Sequence, residues 1–253
     1  MRLRALLLLT TGCVRYRAYP YDAEGAKNKD KSSGMKTGRT GTWITLVLMG
    51  LTAASCAVGP RLIPVSDATR RIEFEGFSIL PPSGENWFAA SPEVLRVMEK
   101  PVGEIVKLIA SFIKMPPPSK THTIAAEVQV AQLPPLPPSA NRIEILQQIK
   151  QSGLRSDDRH RVVASKISED RALGSDCVRY SATSEDRGVP GYPGSIFIFD
   201  LHGFACLHPD RPSYFIQIEY SERRLPRENP LSSLEAEREA FLKSLVFTRL
   251  PGP

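Results

Sequence analysis

Residues 35–56 decide which part of this chain can fold as a globular domain. Their apolar run, residues 42–54, is about 13 residues long, whereas a helix needs about 20 apolar residues to cross the hydrocarbon core of a bilayer. Lys36 and Arg39 precede the run, and basic residues followed by a short apolar segment are typical of a secretory signal peptide. The sequence therefore predicts export, with residues 35–55 as the signal peptide and the folded domain after it.

The segment Ala-Ala-Ser-Cys that ends at Cys56 resembles the lipobox of bacterial lipoproteins, in which the cysteine sulfur is acylated and becomes the new N-terminus. The resemblance implies that Cys56 is the lipidation site and carries palmitate, with residues 56–70 as a tether. Each acyl methylene that enters a bilayer contributes about 0.8 kcal/mol, so several chains would anchor the protein firmly. Ala57, where retained lipoproteins have aspartate, implies sorting to the outer membrane, facing the periplasm. Two alternatives remain: a plain signal peptide cut near Ala54, and a buried helix.

Residues 1–34 are difficult to place, because a signal peptide lies at the N-terminus of a protein. We expect either that translation begins at Met35 or that residues 1–34 are a disordered extension. Residues 21–33 are polar without apolar periodicity, which favours disorder. Residues 1–13 form a rival signal, but their apolar core, residues 5–9, is shorter than the usual 7–15 or so.

The formal net charge of the whole chain is +6, which on its own suggests a nucleic-acid partner. Nine basic and three acidic side chains lie before Cys56, which leaves 24 of each after it. The mature protein therefore has no basic excess to neutralise phosphates, and nucleic-acid binding is not expected. Its length of roughly 195 residues suffices for one domain with an apolar core, which we assign to residues 71–253.

Alternation of apolar and polar side chains predicts that most of this domain is built from β-strands. The predicted strands are 71–80 (one bent strand or two short ones), 94–98, 121–132, 161–168, 176–183, 195–207 and 214–220. The strand at 195–207 is the most apolar, so we expect it near the centre of the sheet.

Residues 102–115 carry apolar side chains at helical spacing, which predicts an amphipathic helix. We interpret it as a helix that covers the sheet. The alternative is a helix that faces the membrane or a protein partner.

Two further helices are predicted from capping signals. Ser139 or Asn141 would cap a helix that ends near Ser152. Ser232 with Glu235 resembles a capping box and would open the last helix of the chain.

An antiparallel sheet with few helices predicts an α+β sandwich. The segments GFSILPPSGENW (76–87) and FLKSLVFTRLP (241–251), with the late strand pair, resemble the PsbP-like α/β/α sandwich of small exported bacterial proteins. The segments GFACLHP (203–209) and YFIQIEYSERR (214–224) are similar to uncharacterised proteobacterial lipoproteins. The resemblance implies a domain that binds or scaffolds, and it carries over no catalytic residues.

Cys177 and Cys206 are the cysteines that remain once Cys13 and Cys56 are assigned to the export region. A hairpin that folds around Tyr192 would place Cys177 opposite Cys206, within reach of a disulfide. An oxidising compartment favours such a bond, and closing a loop of about 30 residues would contribute roughly 3–4 kcal/mol. Free thiols and metal ligation are the alternatives.

Three potential zinc ligands, His202, Cys206 and His208, share one face of a predicted strand. Ligands that stand several residues apart on a single strand diverge, so we predict no metal site, and no cofactor is implied.

Ser111 and Lys114 fit the SxxK pattern of one class of serine hydrolases, but the partner motif KTG occurs only at residues 36–38, in the signal peptide. His160 lies near Asp157 without a nucleophile. Enzymatic activity is therefore not expected.

The sequence thus predicts a lipid-anchored envelope lipoprotein whose domain is non-enzymatic and binds an envelope protein or a small apolar ligand, or supports an assembly. A periplasmic sensor or metal-binding module and a hydrolase or thiol-dependent enzyme are the alternatives. Arg223 or Arg224 could bind a carboxylate at a strand end, although a solvated strand end is the preferred interpretation.

Overall fold

The computed structural model describes residues 62–91, 95, 106–115, 117, 119–189 and 191–250. The predicted signal peptide, Cys56, the segment before them and nearly all of the predicted strand 94–98 lie outside these residues. Within the described part of the chain, no helix has the length and apolar character that crossing a bilayer requires.

Strands dominate the described residues, and every pairing between them is antiparallel. The strands are β1 (Leu62–Pro64), β2 (Ile72–Phe74), β3 (Phe77–Ile79), β4 (Trp87–Ala90), β5 (Val106–Lys114), β6 (Thr123–Gln132), β7 (His160–Glu169), β8 (Cys177–Arg187), β9 (Ile196–His208), β10 (Arg211–Arg224) and β11 (Val246–Phe247). The helices are α1 (Arg142–Gly153) and α2 (Leu234–Leu242). One sheet has eight strands in the order β1-β4-β5-β6-β10-β9-β8-β7, and a second has three in the order β11-β3-β2. The predicted α+β class is confirmed.

The large sheet buries a different apolar core on each face. On one face, side chains such as Ile124, Phe204 and Ile218 pack with α2 and the small sheet. On the other face, side chains such as Leu201 and Phe215 pack beneath α1. Each face is closed by a helix, because inner strands such as β9 carry apolar side chains on both of their faces.

Helix α1 begins where the sequence predicts. The side chain of Asn141 accepts a hydrogen bond from the backbone N–H of Glu144 at 3.2 Å, so Asn141 rather than Ser139 is the cap. The helix packs against β7, β8 and β9. Lys150 lies in the last turn of this helix, where a lysine side chain is ordinarily exposed to water, but here it is buried.

The start of α2 corrects the predicted capping box. Ser233 is the N-cap, its backbone is helical, and its side chain makes no capping hydrogen bond. The backbone N–H of Glu235 donates to the carbonyl oxygen of Ser232 at 3.2 Å, which is a turn contact between main-chain groups.

The prediction of an amphipathic helix at 102–115 is wrong where the structure describes that range, because residues 106–114 form strand β5. Consecutive side chains of this strand, Ala110, Ser111, Phe112 and Ile113, are all buried. A strand that is covered on both faces has an apolar run in place of strict alternation, and such a run imitates helical spacing.

Apart from 94–98, the remaining strand predictions are confirmed with small changes of boundary. Residues 71–80 form two short strands, β2 and β3, and the predicted hairpin at 161–168 and 176–183 is the β7–β8 pair. Strand β9 lies inside the sheet beside β10, as expected. The folded body begins before residue 71, however, because Leu62–Pro64 in the predicted tether pairs with β4.

Candidate functional site

Cys177 and Cys206 form a disulfide, with their Cα atoms 4.1 Å apart. They lie directly opposite each other on β8 and β9, and both are completely buried. The predicted hairpin register therefore brings the two sulfurs together, and neither cysteine is a free thiol or a metal ligand in this structure.

His208, another of the three potential zinc ligands on β9, has a structural contact instead. Its buried ring places Nε2 2.8 Å from the carbonyl oxygen of Gly76 and 3.1 Å from that of Thr248, so this nitrogen carries the proton and donates. His202 is half-buried, and burial lowers its pKa. Among the described residues, no three His, Cys, Asp or Glu side chains are arranged to hold a metal ion.

Ser111 and Lys114 do not meet, because residues three apart on a strand point to opposite faces. The Ser111 hydroxyl lies 3.4 Å from a carboxylate oxygen of Glu127, whereas the Lys114 ammonium lies 2.8 Å from a carboxylate oxygen of Glu237. The SxxK pattern therefore assembles no nucleophile and base in this fold.

The arginines at the end of β10 bind carboxylates of the chain itself. Arg223 Nη1 lies 3.3 Å from the fully buried carboxylate of Asp186. Arg159 donates two hydrogen bonds to the same carboxylate, at 2.6 and 3.0 Å. Arg224 Nη1 donates to Asp200 at 2.7 Å. The predicted solvated strand end is thus an internal ion-pair network. His160 joins it, with Nε2 3.6 Å from Asp186.

A cluster of polar side chains lies between α1 and the sheet, and we name it the Lys150 cluster. It consists of Lys150, Tyr180, Gln217 and Glu219, with Glu127 at its border. Apart from Glu127, which is partly exposed, each of these side chains is nine-tenths buried or more.

The ammonium of Lys150 is held by oxygen atoms and by an aromatic ring. Its Nζ donates to the Gln217 amide oxygen at 2.9 Å and lies 3.4 Å from a carboxylate oxygen of Glu219. The ring of Tyr180 lies 3.9 Å away, a geometry in which a cation is attracted by the ring face. Burial nevertheless lowers the pKa of Lys150, and the Glu219 charge opposes that shift.

Glu219 receives its second donor from Tyr180. The Tyr180 hydroxyl lies 2.5 Å from the same Glu219 oxygen that faces Lys150. Burial and the neighbouring carboxylate raise the pKa of Tyr180 well above its ordinary value, so the hydroxyl keeps its proton and donates. One oxygen of Glu219 is therefore bound both by the Lys150 amine and by the Tyr180 hydroxyl.

Glu127 has no such partner. It lies directly opposite Glu219 in the β6–β10 register, and Ser111 at 3.4 Å is a weak donor. Burial, and then the Glu219 charge, raise the pKa of Glu127 to about 7. Glu127 is therefore a member of the cluster whose charge changes near neutral pH.

Sequence reasoning missed this cluster because Glu127, Gln217 and Glu219 stand at the polar positions of alternating strands, which ordinarily face water. A weak signal existed in α1, where Lys150 follows the inward-facing Leu146 at the spacing of one helical turn. That position belongs to the buried stripe, so a lysine there needs an internal partner.

A shallow cavity of about 520 Å³ lies beside the C-terminal end of α1. Its lining is mostly polar and consists of Gln148, Gln151, Ser152, Leu154, Arg155 and Ser165. The side chains of this lining are neutral except for Arg155, and they are mainly exposed.

Comparisons with known proteins identify no family. No family model matches the chain, and no curated protein matches it. Among solved structures, the chain is similar to LpqN, described as involved in cell envelope biogenesis of Mycobacterium tuberculosis, with 9% sequence identity and a TM-score of 0.40. The match covers 76% of this chain and 91% of that chain. A likeness at this level indicates neither a family nor a function.

Proposed function

We propose that this protein is a lipid-anchored lipoprotein of the cell envelope, held at the outer membrane facing the periplasm, whose domain is a non-enzymatic binding or scaffold module. The observation that carries the proposal is the disulfide between Cys177 and Cys206, which is completely buried. Structural disulfides persist in exported proteins and are rare where thiols are kept reduced. The bond therefore supports the export that residues 35–56 predict.

The start of the fold adds a geometric consequence. Strand β1 begins at Leu62, so six peptide units separate it from Cys56 and can span at most about 20 Å. An acylated Cys56 would therefore hold the edge of the sheet formed by β1 and β4 close to the membrane. The tether would then be shorter than residues 56–70, because residues 62–64 belong to the sheet.

A binding role is also favoured by the form of the domain. A helix closes each face of the sheet, which is the arrangement expected of the PsbP-like sandwich, and we propose that class for the domain. The Ser111 hydroxyl and the Lys114 amine point to opposite faces, and the side chains of the Lys150 cluster bind one another. A protein partner of the envelope or a small apolar ligand is the proposed target.

The anchor is tested by radiolabelled palmitate incorporation in cells that express the full chain. Wild-type protein should take up label and fractionate with the outer membrane, and Cys56→Ala should take up none. Cys13→Ala is the matched control. It should behave as wild type, because Cys13 ends the rival signal at residues 1–13, which the proposal says is not the one that directs lipidation. Label that persists in Cys56→Ala, or a wild-type protein that stays water-soluble and unlabelled, would overturn the proposal.

The binding role is tested separately by cross-linking of the tagged protein in intact cells. A defined envelope partner that is lost when the protein is kept in the cytoplasm supports a scaffold or binding module. Turnover of generic ester or peptide substrates by the purified protein would contradict the non-enzymatic assignment.

A further inference from the structure

We propose that protonation of Glu127 controls how firmly α1 is docked on the sheet, so that the helix is held down when Glu127 is protonated and loosened when Glu127 is ionised. The proposal concerns regulation of the fold and does not depend on the lipid anchor or on a particular partner.

The geometry supplies one cation for two carboxylates. Glu127 and Glu219 are directly opposite on neighbouring strands, where like charges destabilise the pairing. Lys150 is buried and binds Glu219, one member of this pair. The pair with Lys150 is electrically neutral only when one of the two carboxyls carries a proton.

Glu127 is the carboxyl that takes the proton, because its partners are the weaker ones. Glu219 accepts from Tyr180 and binds Lys150. Glu127 faces the Ser111 hydroxyl on β5 and the Gln129 amide on its own strand. Both of these donors are neutral, whereas Glu219 holds an ammonium. The raised pKa of Glu127 agrees with this assignment.

Lys150 connects this charge balance to the helix. Helix α1 packs over β7, β8 and β9, and its Lys150 side chain extends further, to Gln217 and Glu219 on β10. An ionised Glu127 repels the Glu219 carboxylate that lies opposite it and binds Lys150. This repulsion weakens the bond that ties α1 to β10. Separation of the helix from the sheet then lets water reach Glu219 and screen its repulsion of Glu127, so ionisation of Glu127 favours the loosened state.

Hydrogen exchange of the α1 backbone amides, measured on the full-length protein at pH 6 and pH 8, tests the proposal. After correction for the intrinsic pH dependence of exchange, wild-type protection in α1 should fall by about tenfold or more, the factor expected for one pKa unit of coupling. The protection of the β9 backbone amides should not change between the two pH values. Glu127→Gln, which cannot ionise, should retain its pH 6 protection at pH 8, and Glu85→Gln, at an exposed position, should behave as wild type.

Protection in α1 that does not change between pH 6 and pH 8, or that falls equally in Glu127→Gln, overturns the proposal. A second measurement applies if Glu127→Gln fails to fold. In the wild-type protein, the ¹³C shift of the Glu127 carboxyl and the α1 exchange rate should then titrate with one midpoint, and two separate midpoints would overturn it.

Discussion

The hydroxyl of Tyr180 reaches Glu219 by passing over Gly203, the residue that lies between them on β9. A β-carbon on Gly203 would lie 2.5 Å from that hydroxyl and 2.6 Å from the backbone carbonyl oxygen of Ile218. Neither distance is possible without movement, and a strand carbonyl inside the sheet cannot move cheaply. Gly203 therefore opens the path through which the Lys150 cluster is assembled.

We expect Gly203→Ala to lower the free energy of unfolding by about 1–3 kcal/mol, the usual cost of forcing an extra methyl into a packed core. Urea unfolding followed by circular dichroism measures the change. Ser181→Ala, at a partly exposed position of β8, is the control and should change stability by less than about 0.5 kcal/mol. A Gly203→Ala variant as stable as wild type would mean that Tyr180 does not cross at this point.

A second prediction concerns the loss of stability when the disulfide between Cys177 and Cys206 is removed. Its cysteines are 29 residues apart, and the loop-entropy model gives a contribution of about 3–4 kcal/mol for a loop of this length. Replacing both Cys177 and Cys206 by alanine should cost at least that, because two buried side chains are also shortened. Wild-type protein with reductant should lose similar stability, whereas the double variant should be insensitive to reductant. Equal stability of oxidised and reduced wild type would contradict the prediction.

A third prediction concerns Glu237 on α2, which accepts hydrogen bonds from side chains on β4, β5 and β10. Trp87 Nε1, Lys114 Nζ and the Tyr220 hydroxyl donate to it at 2.9, 2.8 and 3.1 Å. Glu237→Ala leaves these donors without their acceptor and should cost about 3–5 kcal/mol, with a red shift of Trp87 fluorescence. Glu235→Ala, on the exposed side of the same helix, is the control and should cost less than about 1 kcal/mol. Similar losses of unfolding free energy in the two variants would show that the hydrogen bonds of Glu237 do not stabilise the packing of α2 on the sheet.

The disulfide could be predicted from sequence because it depends only on hairpin register. Strands β8 and β9 are joined by a short glycine- and proline-rich connection, so the turn position alone places Cys177 opposite Cys206. No long-range information is needed for such a local pairing. The same logic identified the β7–β8 pair.

The apolar run at 102–115 could not be assigned in this way, because its environment is decided by elements far away in the chain. Strand β5 lies between β4 and β6, and both of its faces are covered. The β-branched Val106, Ile109 and Ile113 are the signal that favours a strand. The Lys150 cluster was missed for a similar reason, since only the packing of α1 turns the polar side of β10 into an interior.

The stability of the protein should depend on pH through Glu127, whose pKa is raised from 4.5 to about 7 in the folded state. The folded state binds this proton more tightly than the unfolded chain, so the resulting stabilisation is complete below about pH 4.5 and is lost as the pH rises through 7. Because Glu127 is partly exposed, we expect a loss of about 1–3 kcal/mol between pH 5 and pH 8. His202 acts in the opposite direction, since burial lowers its pKa, so the quantity to measure is the difference between wild type and Glu127→Gln in urea unfolding. That difference should shift in favour of Glu127→Gln as the pH rises. A difference that stays constant from pH 5 to pH 8 would show that Glu127 titrates at its ordinary pKa.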